Sequence, residues 1–362
     1  MKVGILTFHR CINYGSYWQA RCLAEAMKKR GHTIEILDHY SNKINLAEWK
    51  CALQPVLPAF IPSSDIPLYR KKIVSFFEAF EDLPLSKSFP LDNPEQMDSY
   101  DLVIVGSDEV WNLSHPWYGY YPIFYGDGIQ AKQVIAYAAS FGNYDAYASL
   151  EKDWAEKLRQ FERISVRDKN SQRIIKSALG WDVPQVLDPC FLYPVNPYPM
   201  ALPFLQPYVA VYGHNFSENF IANSKEFARS RGLPLISIGY RNDWADEQWL
   251  TAGPLEFSAF MHSAQAVVTN FFHGCVFALI NTKPFVCETS SYRSLKVQGL
   301  MDTIEAQSYM VQEQTPFATY NERLAEPLSR DIIRNIEALR LFSSEWLDKA
   351  LSYNPSIRHE FV

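Results

Sequence analysis

Residues 2–8, KVGILTF, form an apolar run that predicts a buried β-strand. A polar loop follows, and residues 16–30 carry apolar side chains at helical spacing up to Gly31, a residue type common at helix ends. The next run, TIEILDHY at 33–40, is again typical of a strand. The chain therefore opens with a predicted β-α-β unit.

The same alternation of strands and helices continues outward from this unit. Further strands are predicted at 101–107, 132–140, 163–168 and 184–188, with helices at 149–163 and 171–180. The pattern restarts with strands at 208–214, 234–240 and 266–270, and with helices near Glu218–Arg231 and Glu256–Ala264. Such alternation predicts an α/β protein with mostly parallel, doubly wound sheets.

Prolines divide this pattern into parts. Five prolines between positions 194 and 207 predict a linker, because proline continues neither a helix nor a sheet ladder. We therefore expect Rossmann-like domains at 1–192 and 193–330. Residues 43–95, rich in proline and aromatic residues and with a predicted helix at Leu68–Phe80, are interpreted as an insertion covering one edge. Two alternatives to this interpretation stay open: the insertion shapes a binding site, or it faces a membrane. The periodicity of the last segment, 331–362, does not predict where this segment packs in the fold.

The composition is that of an ordinary globular protein, with 48% apolar and 20% charged residues among 362. A net charge of -6 provides no overall basic field, which argues against a nucleic-acid partner.

The six cysteines form no CxxC pair or Cys/His cluster, so no metal site or structural disulfide is expected. Without a leader-like start or an apolar run of about 18 residues, we expect a cytoplasmic protein. Peripheral contact with the inner face of the membrane stays open.

The sharpest local feature is TNFFHGCVFALINTKPFV, residues 269–286, in which a strand stops at Asn270 and a helix begins near Gly274. His273 lies at the turn. In open α/β sheets ligands bind beyond the carboxyl ends of strands, where the next helix offers free N–H groups to an anion. An imidazole there can transfer protons or bind phosphate as a cation. The alternative is a histidine that only caps the helix or fills the crevice.

A second polar turn, GSDEVWN at 106–112, also follows a predicted strand. Ser107, Asp108 and Glu109 are candidates for hydrogen bonds with sugar hydroxyls, and Trp111 could offer a ring face to a sugar. The alternative is that Ser107 and Asp108 cap a following helix.

Three other places complete the set of candidates. Arg167 ends the strand at 163–168 and is suited to a two-pronged contact with phosphate, or else to a surface ion pair with Asp168. The loop from Asn13 to Ser16, which includes Gly15, lacks the GxGxxG pattern of dinucleotide binding, so no nicotinamide cofactor is expected. His9 follows the first strand and is the one other histidine of interest.

Together these segments resemble the polysaccharide pyruvyl transferase family, in the family's order and over nearly the whole chain. KVGILTFHRCINYGSYWQARCL is similar to the family's first strand, Asn-x-Gly loop and glutamine-containing helix, and FFEAFEDLPLS to its aromatic helix. DLVIVGSDEVWN matches the motif Gly-Ser-Asp-Gln-Val-Trp-Asn except at Glu109. YAASFG, ISVRD and VLDPCFL are similar to later blocks, and VTNFFHG resembles Asp-Ser-Phe-His-Gly.

The resemblance implies a GT-B-like fold, in which two Rossmann-type domains face a central cleft and the last helix folds back onto the first domain. It implies transfer of a pyruvyl group from phosphoenolpyruvate, a co-substrate, to two hydroxyls of a saccharide that is free, lipid-linked or polymeric. No metal or other cofactor is implied. It associates His273 and Arg167 with the donor. Together with the candidates read from the residues themselves, the expected site has three parts: catalytic His273 and Asp108; donor-binding Arg167, Lys296, Arg293 and Gly274; acceptor-binding Asn13, Gly15, Ser107, Glu109 and Trp111.

Two departures from the family pattern concern the donor. Phe271 stands where some members have arginine, and Asn270 replaces the acidic residue of the motif. Lys296 stands where many members have arginine, and a lysine cannot reproduce a planar guanidinium fork. A GT-B glycosyltransferase that uses a nucleotide-sugar and a non-catalytic glycan-binding relative therefore stay open as alternatives.

Overall fold

The opening β-α-β unit is confirmed in the computed structural model, which describes residues 1–145, 150–193, 206–289 and 294–352. Strands β1 (Lys2–Leu6) and β2 (Thr33–Ile36) pair in parallel, and helix α1 (Tyr14–Lys29) connects them. The side chain of Asn13 caps α1 by accepting hydrogen bonds from the N–H groups of Gly15 and Ser16. The sequence thus fixes where this helix begins.

The first half of the chain builds a five-stranded sheet. Its remaining elements are α2 (Asn42–Leu53), α3 (Ile66–Glu81), α4 (Lys152–Leu158), α5 (Lys169–Leu179), α6 (Pro189–Leu192), β3 (His39–Tyr40), β4 (Phe89–Pro90), β5 (Tyr100–Val105), β6 (Ala131–Ala139) and β7 (Arg163–Val166). The strand order is β2-β1-β5-β6-β7, all parallel, while β3 and β4 pair separately. Leu102 and Val103 of β5 enter different buried clusters, so both faces of the sheet are covered.

The second half builds a six-stranded parallel sheet in the order β10-β9-β8-β11-β12-β13. Its strands are β8 (Val209–Tyr212), β9 (Leu235–Ile238), β10 (Glu247–Trp249), β11 (Ala266–Thr269), β12 (Phe285–Glu288) and β13 (Met310–Val311). Its helices are α7 (Glu218–Arg231), α8 (Pro254–Ser263), α9 (Phe272–Ile280), α10 (Ser294–Ile304) and α11 (Phe317–Ala325), followed by α12 (Arg330–Leu351). The predicted α/β class with mostly parallel sheets is confirmed.

The two halves share an apolar interface at the start of α1. The Tyr14 ring stacks on Phe257 of α8 with ring centroids 4.3 Å apart, and its hydroxyl donates to the carbonyl of Ala252. One turn later, Trp18 donates its Nε1–H to the carbonyl of Pro254. One buried cluster contains these rings together with core residues of both sheets.

The insertion does more than cover an edge of the first sheet. Asp65, just before α3, forms an ion pair with Arg241 of the second half, and Tyr69 accepts a hydrogen bond from the Arg241 backbone N–H. Lys72 of α3 donates to the carbonyl of Gly239 at 2.9 Å. The insertion therefore bridges the two halves, which the expectation of a plain edge cover missed.

Helix α12 crosses back to the first half. Ser343 accepts a hydrogen bond from the backbone N–H of Leu187, and Arg30 at the end of α1 donates to Asp348. Within the described ranges, no helix is both long and apolar enough to cross a bilayer.

Three details differ from the sequence prediction or lie outside the structure. The predicted strand 184–188 is reduced to one bridge between Gln185 and Val166, because the chain turns at Asp188 into α6. The predicted helix 149–163 is shorter, since α4 ends at Leu158 and β7 begins at Arg163. Most of the predicted linker, residues 194–205, lies outside the described residues.

We expect Leu347→Ala to lower the free energy of unfolding by about 2–5 kcal/mol, because this fully buried side chain of α12 would leave a cavity. Leu341→Ala on the same helix is the matched control, since Leu341 is 66% exposed. The control should change stability by less than about 0.5 kcal/mol. Denaturant titrations followed by tryptophan fluorescence measure both values, and equal effects would contradict the packing of α12.

Candidate functional site

Two helix N-termini meet between the halves of the chain. Gly15 in the first turn of α1 lies against His273 in the first turn of α9, and a Cβ atom on Gly15 would lie 1.9 Å from His273 Nδ1. Only glycine permits this approach. Residues at both helix starts line one pocket, and the positive dipole ends of the two helices favour an anion there. The start of α9 has no side-chain cap, so its first N–H groups can also bind an anion.

The imidazole of His273 is backed by a buried carboxylate. Its Nε2 lies 3.6 Å from Oδ2 of Asp188, an ion-pair distance, and forms no hydrogen bond with any described residue. Asp188 is fully buried and is held at the start of α6, where its Oδ1 accepts a hydrogen bond from the Cys190 N–H. Asp188 thus places a buried negative charge beside the imidazole.

The guanidinium of Arg167 joins two aspartates. Nη1 donates to Asp188 Oδ2 at 3.0 Å, and Nη2 donates to Asp108 Oδ1 at 3.3 Å. The guanidinium carbon also lies 4.8 Å from the centroid of the Phe272 ring. Burial alone would lower the pKa of Arg167, but the neighbouring aspartates outweigh burial and raise it. Both terminal nitrogens of this guanidinium therefore have carboxylate partners before any ligand binds.

Asp108 lies at the centre of the cluster with a left-handed backbone, φ 77°. Its Oδ2 accepts a hydrogen bond from Ser16 at the start of α1. Burial would raise its pKa, but Arg167, Lys296 and His273 together lower it. Asp108 is thus held as a carboxylate.

Lys296 of α10 forms an ion pair with Glu109 in the same turn as Asp108. Burial lowers the pKa of Lys296 to about 8, against the opposing effect of the Asp108 charge. Like Arg167, this cation already has a carboxylate partner.

These groups line a pocket of about 330 Å³ between the two halves. Its aromatic lining comes from both halves, and the insertion adds several side chains of its own. The aromatic residues are Phe8, Trp117, Tyr212, Tyr240, Phe271 and Phe272, and the insertion contributes Glu48, Cys51, Ala52, Pro55 and Lys72.

Lys72 has no carboxylate partner among the described residues, which sets it apart from the other two pocket cations. It is only 3% exposed, and its Nζ lies 4.5 Å from the Tyr240 ring centroid and 4.8 Å from that of Tyr14. Burial lowers its pKa to about 7. An anionic ligand would favour the charged form of this buried amine.

Glu48 of α2 is the second titratable group that the insertion brings to the pocket. Burial raises its pKa to about 7, while hydrogen bonds from Cys11 and the backbone of Ile12 oppose that rise. A carboxyl group that titrates near neutral pH is suited to proton transfer.

A family profile described as polysaccharide pyruvyl transferase matches residues 13–292, a range that contains both helix starts, Asp188 and His273. The chain belongs to the polysaccharide pyruvyl transferase family. Membership supports transferase activity in polysaccharide pyruvylation and implies a saccharide acceptor. None of the curated proteins compared with this family member matches its sequence.

Solved structures share the fold of this pyruvyl transferase family member. The UDP-GlcNAc 2-epimerase from Neisseria meningitidis bound to UDP-GlcNAc has a TM-score of 0.50 at 12% identity, covering 98% of this chain and 100% of that chain. A protein from Listeria monocytogenes assigned as a UDP-N-acetylglucosamine 2-epimerase has a TM-score of 0.52 at 11% identity, covering 97% and 95%. Similarity at this level shows the fold alone, and the predicted GT-B class is confirmed.

Three of the five residues predicted for the acceptor do not line the pocket, namely Gly15, Ser107 and Trp111. Gly15 instead permits the close approach of His273. Trp111 is fully buried and donates its Nε1–H to the carbonyl of Phe124, and Ser107 is also fully buried. No helix follows the turn, since Asp108 accepts a hydrogen bond from the Glu109 N–H instead of capping one. The acceptor role is therefore wrong for Trp111 and Ser107, because the turn directs both side chains into the core.

The other predicted residues divide into three groups. Gly274 does not line the pocket but permits α9 to approach β11, since its Cβ would lie 2.0 Å from Thr269 Oγ1. His9 is buried beside Asp38, and Arg293 lies outside the described residues. The predicted residues that line the pocket are Asn13, Asp108, Glu109, Arg167, His273 and Lys296.

The sequence prediction missed Asp188, Glu48 and Lys72. Asp188 ends the predicted run 184–188, at a position equivalent to a strand's carboxyl end, which was a usable signal. Lys72 falls on the buried face of α3 between Tyr69 and Phe76, where a charged residue is unusual. A lone lysine at an apolar helical position was thus the signal for the third pocket cation.

Asp188, Cys190 and His273 place three potential metal-ligand atoms within 4.8 Å of one another. Arg167 already donates to the Asp188 carboxylate, and burial raises the pKa of the Cys190 thiol well above its ordinary value. A metal needs a deprotonated thiol. Asp188, Cys190 and His273 are therefore better explained as part of the buried cluster around Arg167 than as a metal site.

We expect Asp188→Asn to lower the free energy of unfolding by about 3–5 kcal/mol at pH 7, because buried Arg167 loses a charged partner. Burial would raise the pKa of Asp188, but His273 and Arg167 outweigh it and hold that pKa well below its usual range. Such a carboxylate stabilises the fold above about pH 4, and this contribution is lost as the pH falls.

Denaturant titrations from pH 7 to pH 3 should therefore show the stability gap between parent and Asp188→Asn narrowing below about pH 4. Asp182→Asn is the control, because the Asp182 side chain is 85% exposed. If the difference in unfolding free energy between parent and Asp188→Asn stays constant with pH, the ionised Asp188 carboxylate does not stabilise the fold in this way.

Proposed function

We propose that this protein transfers the pyruvyl group of phosphoenolpyruvate onto two hydroxyls of a sugar, forming a ketal and releasing phosphate during cell-surface glycan synthesis. The observation that carries the proposal is the pocket of a family member, which is lined by His273, by three cations and by residues at the starts of α1 and α9. A pocket of about 330 Å³ suits a small anion beside one sugar unit.

The charge balance of the pocket indicates how a donor with two anionic groups would bind. Arg167 and Lys296 are each paired with carboxylates, so they add little net positive charge. The helix starts and Lys72 supply the uncompensated positive potential. We assign one anionic group of the donor to the N-terminus of α9 beside His273 and the other to Lys72.

The reaction requires a balanced movement of two protons. A proton is added to the terminal enol carbon, a sugar oxygen bonds to the neighbouring carbon, and the carbon–oxygen bond to phosphate breaks with its electron pair leaving on phosphate. A second sugar hydroxyl then closes the ketal, and the two hydroxyl protons end on the new methyl group and on phosphate.

His273 is the proposed acid for the enol carbon, because its imidazole lines the pocket at the start of α9 and lies beside the buried Asp188 carboxylate. Asp108 has a lowered pKa, so it is suited to orienting a hydroxyl and poorly suited to deprotonating one. Glu48, with its raised pKa, is the better proton acceptor in this pocket.

The proposal is tested by incubating the purified protein with phosphoenolpyruvate and a panel of galactose-, glucose- and mannose-containing acceptors. Phosphate release together with an acceptor mass gain of one pyruvyl ketal supports it. A different result would favour a glycosyltransferase that uses a nucleotide-sugar: no phosphate release with any acceptor, thermal stabilisation by a nucleoside diphosphate, and no stabilisation by phosphoenolpyruvate.

We expect His273→Ala to lower kcat by a factor of about 10² to 10⁴, because proton transfer to the enol carbon loses its acid. His262→Ala is the matched control, since His262 is exposed on α8 and bonds to Asn281. Steady-state phosphate release measures both variants. Turnover of His273→Ala within a few-fold of the parent would remove the catalytic assignment.

We expect Lys72→Met to raise the KM for phosphoenolpyruvate by about 10- to 100-fold with a much smaller change in kcat, because a charge-assisted contact is lost. Methionine keeps a long apolar stem among the rings of Tyr14 and Tyr240. Lys71→Met, at the exposed neighbouring position, is the control. Equal KM values for the two variants would show that the donor does not use Lys72.

A further inference from the structure

A histidine that the sequence prediction did not select lies in the wall of the pocket. His115 belongs to the loop that follows the Asp108 turn, and it lines the pocket together with Phe8 and Trp117. The centroid of its ring lies 5.3 Å from that of Phe8 and 5.9 Å from that of Trp117. The imidazole is thus a polar group between two aromatic rings, and such polar groups fix the orientation of a ligand in a largely apolar pocket.

Two backbone N–H groups determine the tautomer of His115. Its Nδ1 accepts hydrogen bonds from the N–H of Trp117 at 3.3 Å and from the N–H of Tyr118 at 3.1 Å. A ring nitrogen that accepts these bonds carries no hydrogen, so the hydrogen of the neutral ring lies on Nε2. Burial lowers the pKa of His115 to about 4, although the charge of Asp108 opposes this effect. The ring is therefore neutral at pH 7.

The Nε2–H of His115 is available to a ligand. Within the part of the chain that the structure describes, it has no hydrogen-bond partner, since both hydrogen bonds of the ring are made by Nδ1. Protonation of the ring would require Nδ1 to give up both of those bonds. His115 is therefore poorly suited to attract a phosphate or carboxylate by charge, and well suited to donate to an uncharged oxygen.

We propose that His115 is a specificity-determining residue for the saccharide acceptor and donates a hydrogen bond from Nε2–H to a sugar hydroxyl oxygen. A hydroxyl group both donates and accepts, so the same sugar can donate to the carboxylate of Asp108, which lines the same pocket. The half-buried ring of Trp117 offers apolar surface beside this contact. The assignment rests on the proposed function for its class of ligand, and it separates the acceptor contact from the donor contacts at Lys72 and α9.

His115→Asn distinguishes a ligand contact from a purely structural role. An asparagine oxygen accepts hydrogen bonds from backbone N–H groups two and three residues ahead, so it can keep both bonds that hold this loop. The shorter side chain does not reach the position of Nε2. His262→Asn is the matched control, because His262 is exposed on α8.

Saccharide binding is measured without phosphoenolpyruvate, by calorimetric titration with the methyl glycosides of galactose, glucose and mannose. The parent should bind at least one of them, and His115→Asn should bind that glycoside about tenfold more weakly, while His262→Asn matches the parent. The monodeoxy derivatives of the bound glycoside are then titrated in turn. One of them should bind the parent about tenfold more weakly than the full sugar, and this difference should disappear in His115→Asn.

Two further measurements complete the test. Long-range ¹⁵N NMR spectra of the parent should show the hydrogen of the His115 ring on Nε2 at pH 7. Under conditions of pyruvyl transfer, His115→Asn should raise the KM for the acceptor about tenfold and leave the KM for phosphoenolpyruvate unchanged.

Three results would overturn the assignment: the parent binds none of the three glycosides, His115→Asn binds them as tightly as the parent, or the spectra place the hydrogen on Nδ1. The spectra and the deoxy series with the parent decide the question even if the asparagine destabilises the loop. Glycoside binding that depends on His115 in a protein without pyruvyl transfer would reject the proposed reaction and keep the saccharide contact. Transfer with an unchanged acceptor KM in His115→Asn would do the reverse.

Discussion

The buried carboxylate of Asp188 is the contact on which the site depends. It joins Arg167 from the end of β7 to His273 from the start of α9, so one side chain connects catalytic candidates of both halves. Removing water from such a cluster is costly unless every charge is paired, and Arg167 satisfies this by bonding to Asp108 as well. The relative position of imidazole and guanidinium thus follows from a single carboxylate and from the apolar interface around Tyr14.

The insertion changes a common fold into a particular site. GT-B architecture supplies two parallel sheets with helix starts facing a cleft, but it does not determine a ligand. Here α2 and α3 add a carboxyl group and an amine whose pKa values burial moves towards 7 from opposite sides. One inserted segment therefore gives a pocket of common architecture two titratable groups of its own.

Sequence patterns predicted the framework well, for a physical reason. Asp108, Arg167 and His273 each follow a predicted strand, and parallel strands deliver their carboxyl ends to one edge of a sheet, so their grouping was foreseeable. Trp111 was misassigned because the direction of a turn is set by tertiary packing. Lys72 was missed because its role depends on packing against Tyr240, nearly 170 positions away along the chain.

A crystal structure with bound phosphoenolpyruvate tests the central claim most directly. The account predicts the ligand in the pocket between α1 and α9, with one anionic group about 3 Å from the backbone N–H groups that begin α9 and the other within reach of Lys72. The enol carbon should face the His273 ring. Phosphoenolpyruvate bound away from His273, or a pocket that binds a nucleoside diphosphate and excludes phosphoenolpyruvate, would contradict the account.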